Sequence, residues 1–435
     1  MTTSDFLTNN GDALLAMLQR DFGLRGQLSG LPGEHDINVK LTNQQESFLV
    51  KVAPTDVDQE LIRLQIDVLR HIATESPSLT VARVVPMSSG ELIGSISTAS
   101  GDHPIWVTTW IEGELFANFG DINEELCYQL GAELGKLDEA LQSFTDARAT
   151  RDLKWDLRQS NWIEAHLDAI DDPTIQAVIV DVHDHFLSLA PALESVRQGV
   201  IHNDANDYNV LVQEHGQTRS VGLIDLGDLC KTAVVGDVAI AATYAAMHLP
   251  DPLAAVDAVV RGFHASMPLT DAEVALVLPL IETRLAVSIT NAAVRQRTRP
   301  DDPYVTISQG GAIKLLRFLH GRDFEVAAAR LRAVCGLPAK PSFAHIAQFL
   351  ANNGRPDNQL LTTAGRIEDA IVLDLSFGST TGGDDPTKFN AAQAAGRIRD
   401  QMCAAGTDLA IGRCADPRPI YSSDWYYFQQ QPADS

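Results

Sequence analysis

The spacing of apolar residues changes several times along this chain, and each change marks an element. Near the start, Ala13, Leu14, Leu15, Met17 and Leu18 fall on one face of an amphipathic helix. Residues 46–54, ESFLVKVAP, alternate apolar and polar side chains with the period of a strand, and Lys51 stands near its end. In residues 58–72 the positions Leu61, Ile62, Leu64, Ile66, Val68, Leu69 and Ile72 are dense enough for a helix laid on a sheet, with Glu60 in its first turn. Residues 105–116, IWVTTWIEGELF, run from a β-branched strand into a glycine-containing connection. A helix capped by Asn123 is expected over 123–144. Val210, Leu211 and Val212 read as a short buried strand, residues 216–220 as a turn, and Val221, Leu223 and Ile224 as the returning strand of a hairpin. Residues 237–249 are almost wholly apolar, as in a buried helix, and further helices are expected over 271–299 and 309–320.

These elements predict an α+β chain with a sheet-bearing lobe over 1–108, a helix-rich lobe containing the hairpin over 109–336, and a C-terminal extension over 337–435. After Pro338 the pattern thins to NNGRPDN, GSTTGGDDPT and a final QQQPADS around one apolar strand, AIVLDLSF. Hydrophobic residues make up 45% of the 435, enough for a sizeable core. No apolar run reaches the roughly 18 to 20 residues that span a bilayer, and MTTSDFLTNN has neither the basic nor the apolar part of a signal peptide. A cytoplasmic protein with no membrane partner is expected. Five cysteines without CxxC spacing argue against disulfides and zinc, and Cys230 reads as packing. The net charge of −24 argues against a nucleic-acid partner and favours a cationic small molecule.

Candidate chemistry sits in IHNDANDYNVLV, residues 201–212, and VGLIDLGDL, residues 221–229. Taken singly, His202 would be a core histidine and Asp204 a turn former. Together His202, Asp204, Asn209 and Asp225 stand at the spacing of a kinase catalytic loop and its metal-binding strand. Phosphoryl transfer needs positioning and charge neutralisation more than covalent help. Asp204 is placed to orient a hydroxyl and accept its proton, while Asn209 offers a neutral oxygen and Asp225 a carboxylate to Mg²⁺, which prefers hard oxygen ligands. His202 is expected to orient the loop, and Asp228 either supports a ligand or forms a surface turn.

The pattern HNDxxxxN followed by IDLGD resembles the aminoglycoside phosphotransferase and choline kinase superfamily, where HGDxxxxN with IDFGD or IDWxD is usual. Within it the chain is most similar to hydroxylysine kinases and to the phosphotransferase module fused upstream of class III aminotransferase-like, pyridoxal-phosphate enzymes. WDL at 155–157, residues 268–293 and DPY at 302–304 carry that nearer likeness. Asn203 in place of Gly, and Leu226 in place of Phe or Trp, are departures that remove no catalytic group. The resemblance implies a bilobal protein-kinase-like fold, with a small antiparallel-sheet N-lobe and a helix-rich C-lobe, that uses ATP and Mg²⁺. It also implies that Lys51 contacts the α and β phosphates and that Glu60 pairs with Lys51. Gly30 and Gly33 in SGLPGEHDIN would form a phosphate-covering turn. The backbone of Trp110, Ile111 and Glu112 would meet the adenine edge, Asn206 would lie near the γ-phosphate, and Asp237 would brace the catalytic loop.

The acceptor implied is the hydroxyl of a small amino alcohol, hydroxylysine- or ethanolamine-like, or an aminoglycoside. Trp155, Asp156, Trp162, Tyr244, Glu282, Arg284 and Tyr304 are the candidates to hold it, because aromatic faces and an acid suit an ammonium group and an arginine suits a carboxylate. VLDLSFGS and GRCADPRPIYSSDW resemble the connector that precedes later modules in multimodular relatives, which raises a downstream lyase module or protein as a partner. A second reading is a catalytically inactive nucleotide-binding or regulatory module. The presence of Lys51, Asp204, Asn209 and Asp225 together favours the enzyme.

Overall fold

The computed structural model describes residues 2–33, 36–216, 218–298, 309–322, 324–337, 371–374, 409–415 and 424–430. Along the chain it forms α1 (Thr3–Met17), β1 (Gln27–Leu31), β2 (Ile37–Thr42), β3 (Ser47–Val52), α2 (Gln59–Glu75), β4 (Val84–Val85), β5 (Gly94–Thr98), β6 (Gly101–Thr109), β7 (Glu114–Leu115), α3 (Glu124–Leu141) and α4 (Pro173–Ser195). There follow β8 (Gln198–Ile201), β9 (Val210–His215), β10 (Thr218–Leu223), β11 (Cys230–Ala233), α5 (Val235–Ala246), α6 (Pro252–Ser266), α7 (Asp271–Thr298), α8 (Gln309–Leu319) and α9 (Phe324–Val334). Three further strands, β12 (Ile371–Asp374), β13 (Leu409–Ala415) and β14 (Asp424–Gln430), lie in the extension.

Two compact units divide the chain. One comprises Met1–Asp121, Glu133–Leu153 and Gln198–Asp237; the other comprises Ile122–Ala132, Lys154–Arg197 and Val238–Ser435. In the first, an antiparallel sheet runs in the order β1-β2-β3-β6-β4, with β5 on β6. Its core forms because every second residue of β2 and β3 is apolar: Val39, Leu41, Phe48, Val50 and Val52 pack with Phe6, Leu14, Met17 and Leu18 around α1. The same alternation turns Lys51 to the opposite face. Helix α2 starts where the Asp58 carboxylate accepts the Glu60 N–H at 2.9 Å, and buries Ile62, Leu64, Ile66, Val68, Leu69 and Ile72. A β7-β9-β10 sheet and a β8-β11 ribbon complete the unit.

The second unit is mostly helical. Asn123 caps α3 as expected, its side-chain oxygen accepting the Leu126 N–H at 3.0 Å. Gly131 of α3 and Gly262 of α6 let those helices meet backbone to backbone: a Cβ on Gly131 would stand 2.0 Å from the Val259 oxygen, and one on Gly262 would stand 2.0 Å from the Tyr128 oxygen. Helix α7, 28 residues long with Pro279 inside it, is buried over most of its length. Among the described residues, no helix is long and apolar enough to cross a membrane.

The mixed α/β architecture is the one the sequence implied, with differences in detail. The hairpin turn is shorter than 216–220, because Thr218–Leu223 already pairs with β9 through Gly216, whose φ is +68°. Gly30 lies within β1 rather than in a turn; a Cβ there would come 2.9 Å from Thr3 Cγ2, so its missing side chain admits α1. The extension carries β13 and β14 besides the expected strand, paired antiparallel in the order β12-β14-β13. Tyr304, NNGRPDN and GSTTGGDDPT lie outside the described residues.

Candidate active site

Strand β8 delivers the chain into residues 202–209, which lead to β9, and β10 delivers it into residues 224–229, which lead to β11. Since β8 pairs with β11 and β9 with β10, the two loops run between the same pair of ribbons. The hairpin ladder extends one step further, Ile224 N–H donating to the Asn209 carbonyl at 3.0 Å. Asn209 is thereby set beside the residue preceding Asp225.

The first loop hangs from α5. Both carboxylate oxygens of Asp237 accept backbone N–H groups, His202 at 2.9 Å and Asn203 at 2.7 Å. Asp237 is fully buried, and that burial pushes its carboxyl upward, while Asp138 hydrogen-bonds to it. This is the brace expected of Asp237. Asn203 adopts φ +65°, a left-handed conformation that asparagine tolerates better than most residues, and its amide donates to the Asp228 carbonyl at 3.1 Å. The departure from Gly at this position therefore fits the backbone. His202 Nδ1 accepts the Asp204 N–H at 3.3 Å, so Nε2 carries the proton and donates to the Ile224 carbonyl at 2.9 Å. With both ring nitrogens occupied and no exposure, His202 ties the two loops together and is not a catalytic group.

Asp204 is partly exposed, and its Oδ2 accepts from the side-chain amides of Asn206 and Asn209, each at 2.9 Å. The Asn209 amide also donates to the Asp204 carbonyl at 2.9 Å. Asn209 thus presents its nitrogen to Asp204 and turns its side-chain oxygen away, leaving the atom a divalent cation requires. Asn206 orders the loop rather than standing clear of it, since its side-chain oxygen accepts the Tyr208 N–H at 2.8 Å.

Asp225 also has a left-handed backbone, φ +60°, and its Oδ1 accepts the Gly227 N–H at 3.1 Å. Lys51 Nζ lies 3.5 Å from that oxygen, 3.7 Å from Asp36 Oδ2 and 5.4 Å from the Trp106 ring centre. The nearby Lys51 ammonium holds the Asp225 carboxyl below the usual carboxylate range. The expected Lys51–Glu60 pair is not formed. Glu60 meets Arg148 at 3.2 Å and Arg63 at 3.4 Å instead, those two cations lying within its reach while Lys51 is engaged by Asp36 and Asp225. Asp36, absent from the sequence reading, takes the place beside Lys51. Gly33 lies just before it, where a Cβ would stand 2.3 Å from the Asp36 carbonyl oxygen.

In the connection after β6, Trp110 N–H donates to the Ser47 carbonyl at 3.1 Å, and the Glu112 carbonyl accepts from Gln213 Nε2 at 2.8 Å. Those two groups are committed to the protein, so a purine edge would have to meet other backbone groups of residues 110–112, the Trp110 carbonyl among them. Lys40 sits 4.1 Å above the Trp110 ring and 3.6 Å from Glu112.

Among the acceptor candidates, the second unit brings Trp155, Tyr244 and Arg284 together. The guanidinium lies 4.6 Å from the Trp155 ring centre and 5.4 Å from that of Tyr244, and Nε donates to the Tyr244 hydroxyl at 3.3 Å. Asp156 does not join them as an open acid: it caps its own turn, accepting from Arg158 N–H at 3.0 Å and Gln159 Nε2 at 3.2 Å. Glu282 is buried, and burial pushes its carboxyl up to about 8. Lys154 and Asn291, which the sequence reading missed, belong to the same cluster; Lys154 directly precedes Trp155, and Asn291 stands two helical turns after Arg284.

A model described as the phosphotransferase enzyme family matches residues 28–272. Hydroxylysine kinase from Mus musculus is 24% identical over 312 residues, covering 66% of this chain and 82% of that protein. The Xenopus laevis hydroxylysine kinase is 25% identical over 210 residues, 45% of this chain and 56% of that protein. Two solved structures share the fold. An amicoumacin kinase in complex with AMP-PNP and Ca²⁺ has a TM-score of 0.55 at 17% identity, covering 74% of this chain and 99% of that one. A microcompartment-associated aminopropanol kinase has a TM-score of 0.55 at 17% identity, covering 75% and 98%.

Proposed function

The chain belongs to the phosphotransferase enzyme family, and from that premise we propose that it is an ATP- and Mg²⁺-dependent small-molecule kinase acting on the hydroxyl of an amino alcohol. The observation that carries this reading is the joint state of Asp204, Asn209 and Asp225. The Asn209 amide fixes the Asp204 carboxylate, its own oxygen faces away, and Asp225 is kept ionised by Lys51.

Asp204 would accept the proton of the acceptor hydroxyl as its oxygen bonds to the γ-phosphorus and the β–γ bridging bond breaks to give ADP. Lys51 would exchange its contacts with Asp36 and Asp225 for phosphate oxygens. Asn209 and Asp225 are hard oxygen donors suited to Mg²⁺, which would neutralise phosphate charge when bound. His202 and Asp237 hold the loop that carries Asp204, and the remaining backbone groups of Trp110, Ile111 and Glu112 would meet the adenine edge. The amino-alcohol class is supported by the hydroxylysine kinases and the aminopropanol kinase to which the chain is similar.

The test is acceptor-dependent ADP release with ATP and Mg²⁺ across hydroxylysine, ethanolamine, choline, homoserine and aminoglycosides, run beside Asp204→Asn. Turnover lost in the variant supports the kinase. Turnover that survives the substitution removes Asp204 from the chemistry.

A further inference from the structure

Behind the loop that carries Asp204, two carboxyl groups meet in the interior of the first unit. Asp237 has no exposed surface, and neither has Asp138 of α3, which stands about one helical turn from Leu134 and from Leu141 on the buried face of that helix. The two side chains are hydrogen-bonded to each other. A carboxylate oxygen only accepts, so two ionised carboxylates cannot form that bond, and a proton has to lie between them. The other groups facing Asp237 supply no charge to offset a second anion. Its oxygens accept the His202 and Asn203 N–H groups, and among the described residues no lysine or arginine pairs with it. The His202 ring is neutral, Nδ1 accepting from Asp204 and Nε2 donating to Ile224. Two bare carboxylates in contact there would repel strongly. Burial raises the Asp237 carboxyl above its usual range, in keeping with a proton retained by the pair.

We propose that Asp138 and Asp237 hold one proton between them at neutral pH, with Asp138 as the donor, and that Asp138 is thereby a positioning residue for the loop that carries Asp204. The proton on Asp138 leaves both oxygens of an ionised Asp237 to receive the two backbone N–H groups, each in a charge-assisted bond. The loop is then tied through Asp237 to α3 as well as to α5. Loss of the proton to solvent at alkaline pH breaks that tie and leaves two anions in contact behind the loop. The shared proton is a property of the fold, whereas its effect on turnover rests on the kinase reading above.

The variant that isolates the proton is Asp138→Asn, whose amide donates to Asp237 at every pH and has no proton to lose. Infrared spectra at neutral pH should show a protonated-carboxyl C=O band in the wild-type chain that is weaker in Asp138→Asn; Glu282 contributes equally to both and cancels in the difference. No band in the difference overturns the shared proton. Should Asp138→Asn fail to fold, the Glu282→Gln chain decides: a carboxyl band persisting at neutral pH supports the pair, and its absence overturns it. For the positioning role, wild-type kcat should fall by about tenfold or more over the pH range in which the band disappears, while the kcat of Asp138→Asn stays level across that range. An equal fall in both chains overturns that role. If no acceptor turns over, hydrogen exchange takes the place of kcat. The ratio of wild-type to Asp138→Asn protection at the His202 and Asn203 amides should fall about tenfold per pH unit between the usual carboxylate range and the pH at which the band is lost, because the pair keeps its proton in the closed loop and releases it in the open one. A constant ratio overturns the tie.

Discussion

On the proposed reading, Asp204 and Lys51 divide chemistry from binding. Asp204→Asn keeps the shape of the loop and removes the proton acceptor, so kcat should fall by about 10²–10⁴-fold while calorimetry still registers Mg·ATP binding. The two acids near the lysine strand are separable as well. With Lys51 held by Asp36 and Asp225, and Glu60 held by Arg148, Asp36→Asn should alter the KM for ATP several-fold and Glu60→Gln should not; equal effects would restore Glu60 as the partner. At the left-handed position, Asn203→Ala should cost about 1–2 kcal/mol in urea unfolding, and Asn203→Gly less, since glycine escapes the backbone penalty and loses only the bond to Asp228. That Asp204 and Asn209 meet in one loop was legible because the motif sets fixed residue types at fixed spacing within a short stretch. The partner of Glu60 was not, since its competitor Arg148 stands 88 positions away and proximity of that kind leaves no local trace.

Elements followed their periodicity closely where the pattern was long. Helices α2, α3, α5, α7 and α8 lie where apolar spacing places them, and the β9–β10 hairpin follows from two apolar runs bracketing a turn. Short or polar strands escaped: β1 reads QLSGL, with no buried residue to announce it, and β13 and β14 lie in a stretch dominated by turn formers. Also hidden was the purpose of Gly131 and Gly262, because a glycine inside a helical pattern looks like a defect until its neighbour is known. Each faces a backbone oxygen of the other helix, so Gly131→Ala or Gly262→Ala should force α3 and α6 apart and cost about 1–3 kcal/mol or more, read as a lower urea midpoint. Alanine at half-buried Gly11, where an added Cβ would meet nothing within 4 Å, is the control and should stabilise α1 by up to about 1 kcal/mol.

At the scale of the whole molecule, Glu282 sets a dependence on pH. Its carboxyl is raised from 4.5 to about 8, so between those values the folded chain holds a proton that the unfolded chain releases. Stability from this group is therefore greatest in acid and declines as pH rises, by at most about 1.4 kcal/mol per pH unit. Glu282→Gln should remove that slope from melting temperatures measured between pH 5 and 8, and an unchanged slope would show that the group ionises in the fold. The overall α+β class was readable from the order of elements, but the burial of a glutamate on α7 was not, since it depends on packing that no local pattern encodes. The brace at Asp237 bears on how the enzyme dies. The loop bearing Asp204 hangs by two amides from the first turn of a helix that is almost entirely interior, so it has no means of fraying by itself. Heating should leave turnover intact until the fold gives way, and the amide protons of His202 and Asn203 should exchange with deuterium only as slowly as the most protected in the molecule.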